Sequence, residues 1–295
     1  MRGKIMEMIN TLHALILGIV QGLTEFLPVS SSGHLVIMQH YLGFTEPLLL
    51  FDVMLHVATL AAVVIYFRHD LWKIILSLIR LKKKNPEEIL HRKIFYFILL
   101  GTIPTGALGI FFNSWIFKIW LKFFFVSVIL TSFMLLFTGI LLWVSERKEK
   151  PEGEKSLEKE NTGKGIGKMR VTDALLIGIM QGVAIIPGIS RSGATISTGL
   201  LRGIKKELAF RYSFLLSIPA IIGALGLQLR EASLEKNLPS HLLPWVVGAL
   251  FAAVIGYLSL ILLQKAVIKK RLSIFAYYCW IIGISSLVIR VLAKF

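Results

Sequence analysis

One pattern occurs twice in this chain of 295 residues, half a chain apart, and both times it interrupts an apolar stretch with polar groups. Residues 14–35 read ALILGIVQGLTEFLPVSSSGHL and residues 174–195 read ALLIGIMQGVAIIPGISRSGAT. Aligned without gaps, they share Ala14/Ala174, Gly18/Gly178, Gln21/Gln181, Gly22/Gly182, Ser30/Ser190, Ser32/Ser192 and Gly33/Gly193. So long a match marks an internal duplication, and the fold must be assembled from two related halves. Each copy also holds a proline, Pro28 or Pro187, which interrupts a helix because it has no amide hydrogen to donate.

The solvent of these halves is lipid. Apolar residues make up 55% of the chain and charged ones 17%, against about 25% charged in a soluble domain. Mean hydropathy is +0.73. Apolar runs at 48–67, 94–113, 123–145, 212–229, 242–264 and 274–293 each approach the ~20 residues that a membrane-spanning helix requires. An all-α polytopic membrane protein is therefore expected. The net charge of +16 resides in short loops between apolar runs, where it sets topology, so no nucleic-acid partner is expected. Arg2 and Lys4 precede the first apolar stretch, but no small-residue cleavage site follows, and Gln21 and Glu25 interrupt it; the segment is expected to stay in the mature protein. Cys279 is the only cysteine, which rules out an intrachain disulfide.

Loop charge predicts the topology. Basic residues crowd 68–93 and 146–170, and also 202–211 and 265–271, which places these connections in the cytoplasm; 114–122 and 230–241 then face outward. Residues 171–201 have cytoplasmic loops on both sides, and the piece after Pro187-Gly188, about 18 Å long as a helix, is too short to cross a ~30 Å core. It is expected to turn near the midplane and return as a re-entrant hairpin. By the same rule the segment from about 8 to 44, broken at Pro28, is a hairpin opening outward. Each half is then one hairpin plus three spans, an odd number of crossings, so the second half is inverted relative to the first. The expected organisation is a first inverted repeat over 1–145, a charged, solvated linker over 146–170, and a second repeat over 171–295.

Irregular backbone at membrane depth is tolerated only beside protein or water, so a cavity is expected at the two breaks. Ser30 and Ser190 are suited to cap the helices that restart there, and two helix N-termini facing one cavity make an anion site. Arg191 adds a fixed charge and a fork that matches phosphate oxygens. Glu25, one turn after Gln21, suits a hydrated divalent cation, magnesium or calcium, bridging to the phosphate. His34 lies three residues after Ser31 on the same helical face, the arrangement of a nucleophile and its base. Glu25, Ser31, His34 and Arg191 are the catalytic candidates, with Glu25 also the metal candidate. Gln21, Ser30, Ser190, Ser192 and Thr195 are the substrate-binding candidates. Competing readings are helix packing for the serines and glycines, a structural ion pair for Glu25 and Arg191, and a plain hydrogen-bonded interior histidine for His34. Asp52 and His56, in FDVMLHVATL, are placed at the edge of the cavity.

QGLTEFLPVSSSGHL and PGISRSGAT resemble the two signature regions of the undecaprenyl-diphosphate phosphatase family of the bacitracin-resistance type, and FDVMLHVATL and the hydrophobic layout extend the resemblance over nearly the whole chain. The resemblance implies a hydrolase that removes the terminal phosphate of undecaprenyl diphosphate at the outer face of the cell membrane, recycling the lipid carrier for peptidoglycan and other envelope polymers. It matches Glu25 to the second acidic position of an (E/Q)xxxE pattern, Ser31 and His34 to the polar pair of PVSSxGH, and Arg191 to the arginine of PGxSRS. Gln21 occupies a position where the family often has glutamate, which leaves one carboxylate instead of two. The expected partners are a polyprenyl diphosphate and membrane lipid, with a homodimer left open as an assembly. The competing function is a transporter or flippase for polyprenyl phosphate lipids, because inverted repeats with broken helices are transporter architecture.

Overall fold

The computed structural model describes residues 9–44, 48–80, 85–113, 128–148, 163–232 and 242–292. Among these residues the chain forms eleven α-helices and no strand. The first half contributes α1 (Thr11–Phe26), α2 (Ser31–Tyr41), α3 (Leu49–Tyr66), α4 (Arg68–Ile79), α5 (Pro86–Asn113) and α6 (Val128–Lys148). The second contributes α7 (Val171–Val183), α8 (Arg191–Leu201), α9 (Lys206–Ala232), α10 (Leu243–Ile268) and α11 (Ser273–Leu292). Among the described residues, five helical segments are long and apolar enough to cross a membrane: Pro86–Phe112, Ile129–Arg147, Lys206–Leu227, Leu243–Ile268 and Ser273–Arg290. A sixth arises if Leu50–Tyr66 and Arg68–Ile79, bent by 70°, count as one broken span. The molecule is an all-α, multi-pass membrane protein.

The boundaries differ from the hydropathy reading in ways that follow from helix-end chemistry. Helix α5 begins at Pro86 and α9 at Lys206, well before the apolar runs, because Glu87, Glu88 and Glu207 favour the positive end of the helix dipole. Residues 68–79, expected as loop, form α4. Its basic residues disguised an amphipathic helix that buries Ile74 and Ser77 and exposes Trp72, Ile75 and Ile79. Residues 123–127 of one expected span, and 149–162 of the linker, lie outside the described residues. The end of that linker, residues 163–170, keeps exposed positions but is docked at several points. Lys164 donates its backbone N–H to the Gly203 carbonyl, Lys93 Nζ reaches the Gly167 carbonyl at 2.7 Å, and Met169 is buried. Buried Asp173 anchors the segment by accepting from the Arg170 backbone at 3.0 Å, Arg202 Nε at 2.8 Å and Lys164 Nζ at 3.3 Å.

The short helices pack against the long ones by glycine contacts that recur in both halves. Helix α1 lies on α10, and α7 lies on α5. A methyl group at Gly18 would sit 2.3 Å from the Gly248 carbonyl oxygen, and one at Gly178 would sit 2.1 Å from that of Gly101. Gly22 meets Ile255 one turn on, and Gly182 meets Leu108. Each pair therefore runs in the same direction. Helices α6 and α11 run antiparallel, with Gly139 against Ala276 and Trp280, and Gly283 against Ser132 and Leu136.

The two chain breaks meet. Gly193, in the first turn of α8, lies so close to Pro28 that an added methyl would be 3.1 Å from the proline ring. Each break is also tied to the last helix of the other half. Cys279 of α11 donates to the Pro28 carbonyl at 3.3 Å, while Thr138 of α6 donates to the Gly188 carbonyl at 3.1 Å and accepts from the Ser190 backbone at 3.2 Å. Gly188 has φ +93° and no room for a side chain beside the Thr131 carbonyl, so glycine is required at that turn.

Candidate active site

Glu25 stands in the last turn of α1, just before the first break, and Arg191 opens α8, just after the second. The convergence of the breaks brings Arg191 Nη2 to 2.8 Å from Glu25 Oε1. The carboxylate is a hub. Its Oε2 accepts from Ser31 Oγ at 2.9 Å and from Gln21 Nε2 at 3.2 Å, and His56 Nε2 lies 3.8 Å away. Glu25 is 8% exposed and Arg191 19%, so the pair is largely withdrawn from the surface.

The site also holds buried polar atoms without partners. Arg191 Nη1 and Gln21 Oε1 are fully enclosed and make no hydrogen bond among the described residues. An unmet guanidinium N–H in a buried setting is costly and calls for an acceptor, which a phosphate oxygen supplies. An unmet amide oxygen beside a carboxylate suits a hard cation. The donor set, Glu25 with Gln21, fits magnesium or calcium completed by substrate oxygens, since such ions use one or two carboxylates plus phosphate. Among the described residues there is no group of three or more His, Cys, Asp and Glu side chains of the kind that holds a metal by protein ligands alone.

Ser31 and His34 share a helix, but the structure does not bond them to one another. Ser31 is the first residue of α2 and reaches back across the break to Glu25. His34, one turn later, turns the other way, with Nδ1 2.9 Å from the Ser30 carbonyl and Nε2 2.6 Å from the Tyr278 hydroxyl on α11. The four hydroxyls expected to bind substrate, on Ser30, Ser190, Ser192 and Thr195, are buried. Ser190 caps α8 by accepting from the Gly193 N–H at 3.2 Å and lies 3.2 Å from Ser192. Thr195 bonds the Arg191 carbonyl at 2.8 Å and the Ser213 hydroxyl, fastening α8 to α9. Ser30 makes no capping bond; instead its backbone takes φ +68°, a left-handed value that a non-glycine residue adopts at a cost of about 1–3 kcal/mol.

Two residues near the site were hard to find in the sequence. His56 was seen only as a cavity-edge residue, yet its Nε2 faces Glu25 while its Nδ1 bonds the Asp52 carbonyl at 2.8 Å; Asp52 in turn accepts from Gln39 at 2.7 Å. Its signal is an imidazole four residues after an aspartate in an apolar span. Tyr278 gives no such signal, being one aromatic among several in the last span.

The family model described as bacitracin resistance protein BacA matches residues 14–285. Similar curated proteins are called undecaprenyl-diphosphatase. One from Carboxydothermus hydrogenoformans is 40% identical over 97% of this chain and 100% of its own length. Another, from Syntrophotalea carbinolica, is 42% identical over 92% of this chain and 96% of its own. A third, from Methanosphaera stadtmanae, is 41% identical over 96% and 99%.

Proposed function

This chain belongs to the bacitracin resistance protein BacA family, and from that membership we propose an integral membrane phosphatase that hydrolyses undecaprenyl diphosphate to undecaprenyl phosphate and inorganic phosphate. The activity recycles the lipid carrier for envelope synthesis and accounts for the bacitracin resistance of the family's name. Within the molecule, the observation that carries the reading is the Glu25–Arg191 pair at the junction of two broken helices, with an unmet guanidinium N–H beside it.

The polyprenyl tail stays in lipid while the diphosphate enters between the breaks. Arg191 takes the terminal phosphate in a forked contact, with the first-turn N–H groups of α8 adding positive potential. In doing so it frees Glu25 Oε1 from the ion pair. Ser31 is the nucleophile, and its existing hydrogen bond to Glu25 Oε2 supports Glu25 as the group that takes its proton while the P–O–P bridge breaks and polyprenyl phosphate leaves; water then cleaves the phosphoserine, releasing phosphate and returning the proton to Ser31. His34, one turn beyond Ser31 on α2, borders the departing polyprenyl phosphate. A divalent cation held by Glu25 and Gln21 supplies charge neutralisation on the diphosphate when bound. The membrane is the cell membrane, and the site opens to its outer face. The parallel running of α1 with α10 and of α7 with α5, and the antiparallel running of α6 and α11, support two halves related by inversion.

Detergent-solubilised protein given a polyprenyl diphosphate with magnesium is expected to release phosphate, and Arg191→Ala is expected to reduce kcat/KM by about 10²–10³. Detergent has no sides to move lipid between, so release there separates hydrolysis from transport. Wild-type protein that released no phosphate would overturn the phosphatase reading.

A further inference from the structure

We propose that Tyr278 is a positioning residue for this reaction: its phenol holds the His34 imidazole, whose tautomer the Ser30 carbonyl sets, in one orientation, so the last helix completes a site otherwise assembled from the two breaks. The inference rests on the phosphatase reading and concerns how His34 is made ready.

Three observations carry it. The first is the hydrogen-bond pattern of the ring. His34 Nδ1 lies 2.9 Å from the Ser30 carbonyl, which can only accept, so in the neutral imidazole Nδ1 carries the hydrogen and Nε2 presents its lone pair. Tyr278 Oη lies 2.6 Å from that lone pair and is therefore the donor. The second is ring stacking. The two rings lie nearly parallel, 20° apart with centroids at 5.8 Å, which keeps the phenol oxygen in line with the imidazole plane. The third is the anchoring of the adjacent residue. Cys279 bonds the Pro28 carbonyl, so consecutive residues of α11 secure both ends of the same break, one directly and one through His34 and the strained Ser30.

The chain Tyr278 O–H to His34 Nε2, and His34 Nδ1–H to the Ser30 carbonyl, ties α11 to the residue that takes a left-handed conformation without a capping bond. It also sets what His34 can do. With Nε2 occupied by a phenol, His34 is not available to Ser31 as a base, consistent with Ser31 bonding Glu25 instead. A phenol both donates and accepts, so Tyr278 remains bonded whether the ring is neutral or charged. The imidazole is thereby oriented in advance of substrate, the condition under which a small misplacement becomes expensive.

The test uses the full chain in detergent, with 15N-labelled histidine and farnesyl diphosphate as the assayed substrate. In the wild type, the His34 signals, identified by their loss in His34→Gln, should show a protonated Nδ1 and an Nε2 shifted by an accepted hydrogen bond. In Tyr278→Phe, the Nε2 signal should move to that of a free pyridine-like nitrogen while the other histidines stay in place, which also reports that the fold is intact. Turnover should fall about 10- to 100-fold in kcat with KM within about twofold, and Tyr278→Phe added to His34→Gln should cost nothing further. Unchanged His34 signals in Tyr278→Phe, or losses that multiply in the double variant, would overturn the assignment. Absence of phosphate release by the wild type would instead count against the phosphatase reading and leave the spectroscopic result standing.

Discussion

A single carboxylate organises the chemistry. Glu25 meets an arginine, a serine, a glutamine amide and a histidine within 3.8 Å, so a change at one of these groups alters the electrostatics of the rest. The sharpest separation of roles comes from Ser31. If it attacks phosphorus, Ser31→Ala should reduce phosphate release by about 10³ or more, whereas His34→Gln should lose roughly 10²; comparable modest losses for both would favour direct attack by water. Steady-state phosphate assays at saturating substrate make the comparison. At this scale the sequence was informative where residues broke the apolar pattern. Glu25 and Arg191 stood out because charge at membrane depth is costly. What it concealed were contacts set by the fold. Ser31 and His34 share a helical face by spacing, but a terminal residue can reach back over the break, and it does. Tyr278, distant in the chain and apolar in company, became visible only once α11 was seen to lie against the first break.

Among the helices, the short ones depend on close approach of backbones. Gly178→Ala would force its methyl against the Gly101 carbonyl, an obstacle that cannot rotate away, so a loss of about 1–3 kcal/mol is expected, read as a lower melting temperature in detergent. Gly33→Ala is the control within the same motif. Nothing lies within 4 Å of the added methyl, and alanine is the better helix former, so stability should hold or rise by about 0.5–1 kcal/mol. Any activity lost there is then lost at the site and not in the fold. The broken helices were legible because proline and glycine interrupt strongly apolar stretches. Helix α4 was not, since Arg68, His69, Asp70 and Lys73 lower its hydropathy although Trp72, Ile75 and Ile79 share one exposed stripe.

Over the whole molecule, loop charge alone predicts which side the site faces, and the prediction is open to direct test. In a Cys279→Ser background, Tyr41→Cys should react with a membrane-impermeant maleimide applied to intact cells, whereas Lys269→Cys should react only after permeabilisation. The reverse pattern would turn the site toward the cytoplasm. A further consequence follows from the crossed ties, α11 to the first break and α6 to the second. Neither half owns a finished set of supports, because what steadies one lies at the far end of the other. A chain severed between Lys148 and Gly163 should thus be inert as either fragment and regain turnover when both are co-expressed, as two hands clasped at the wrists hold only together.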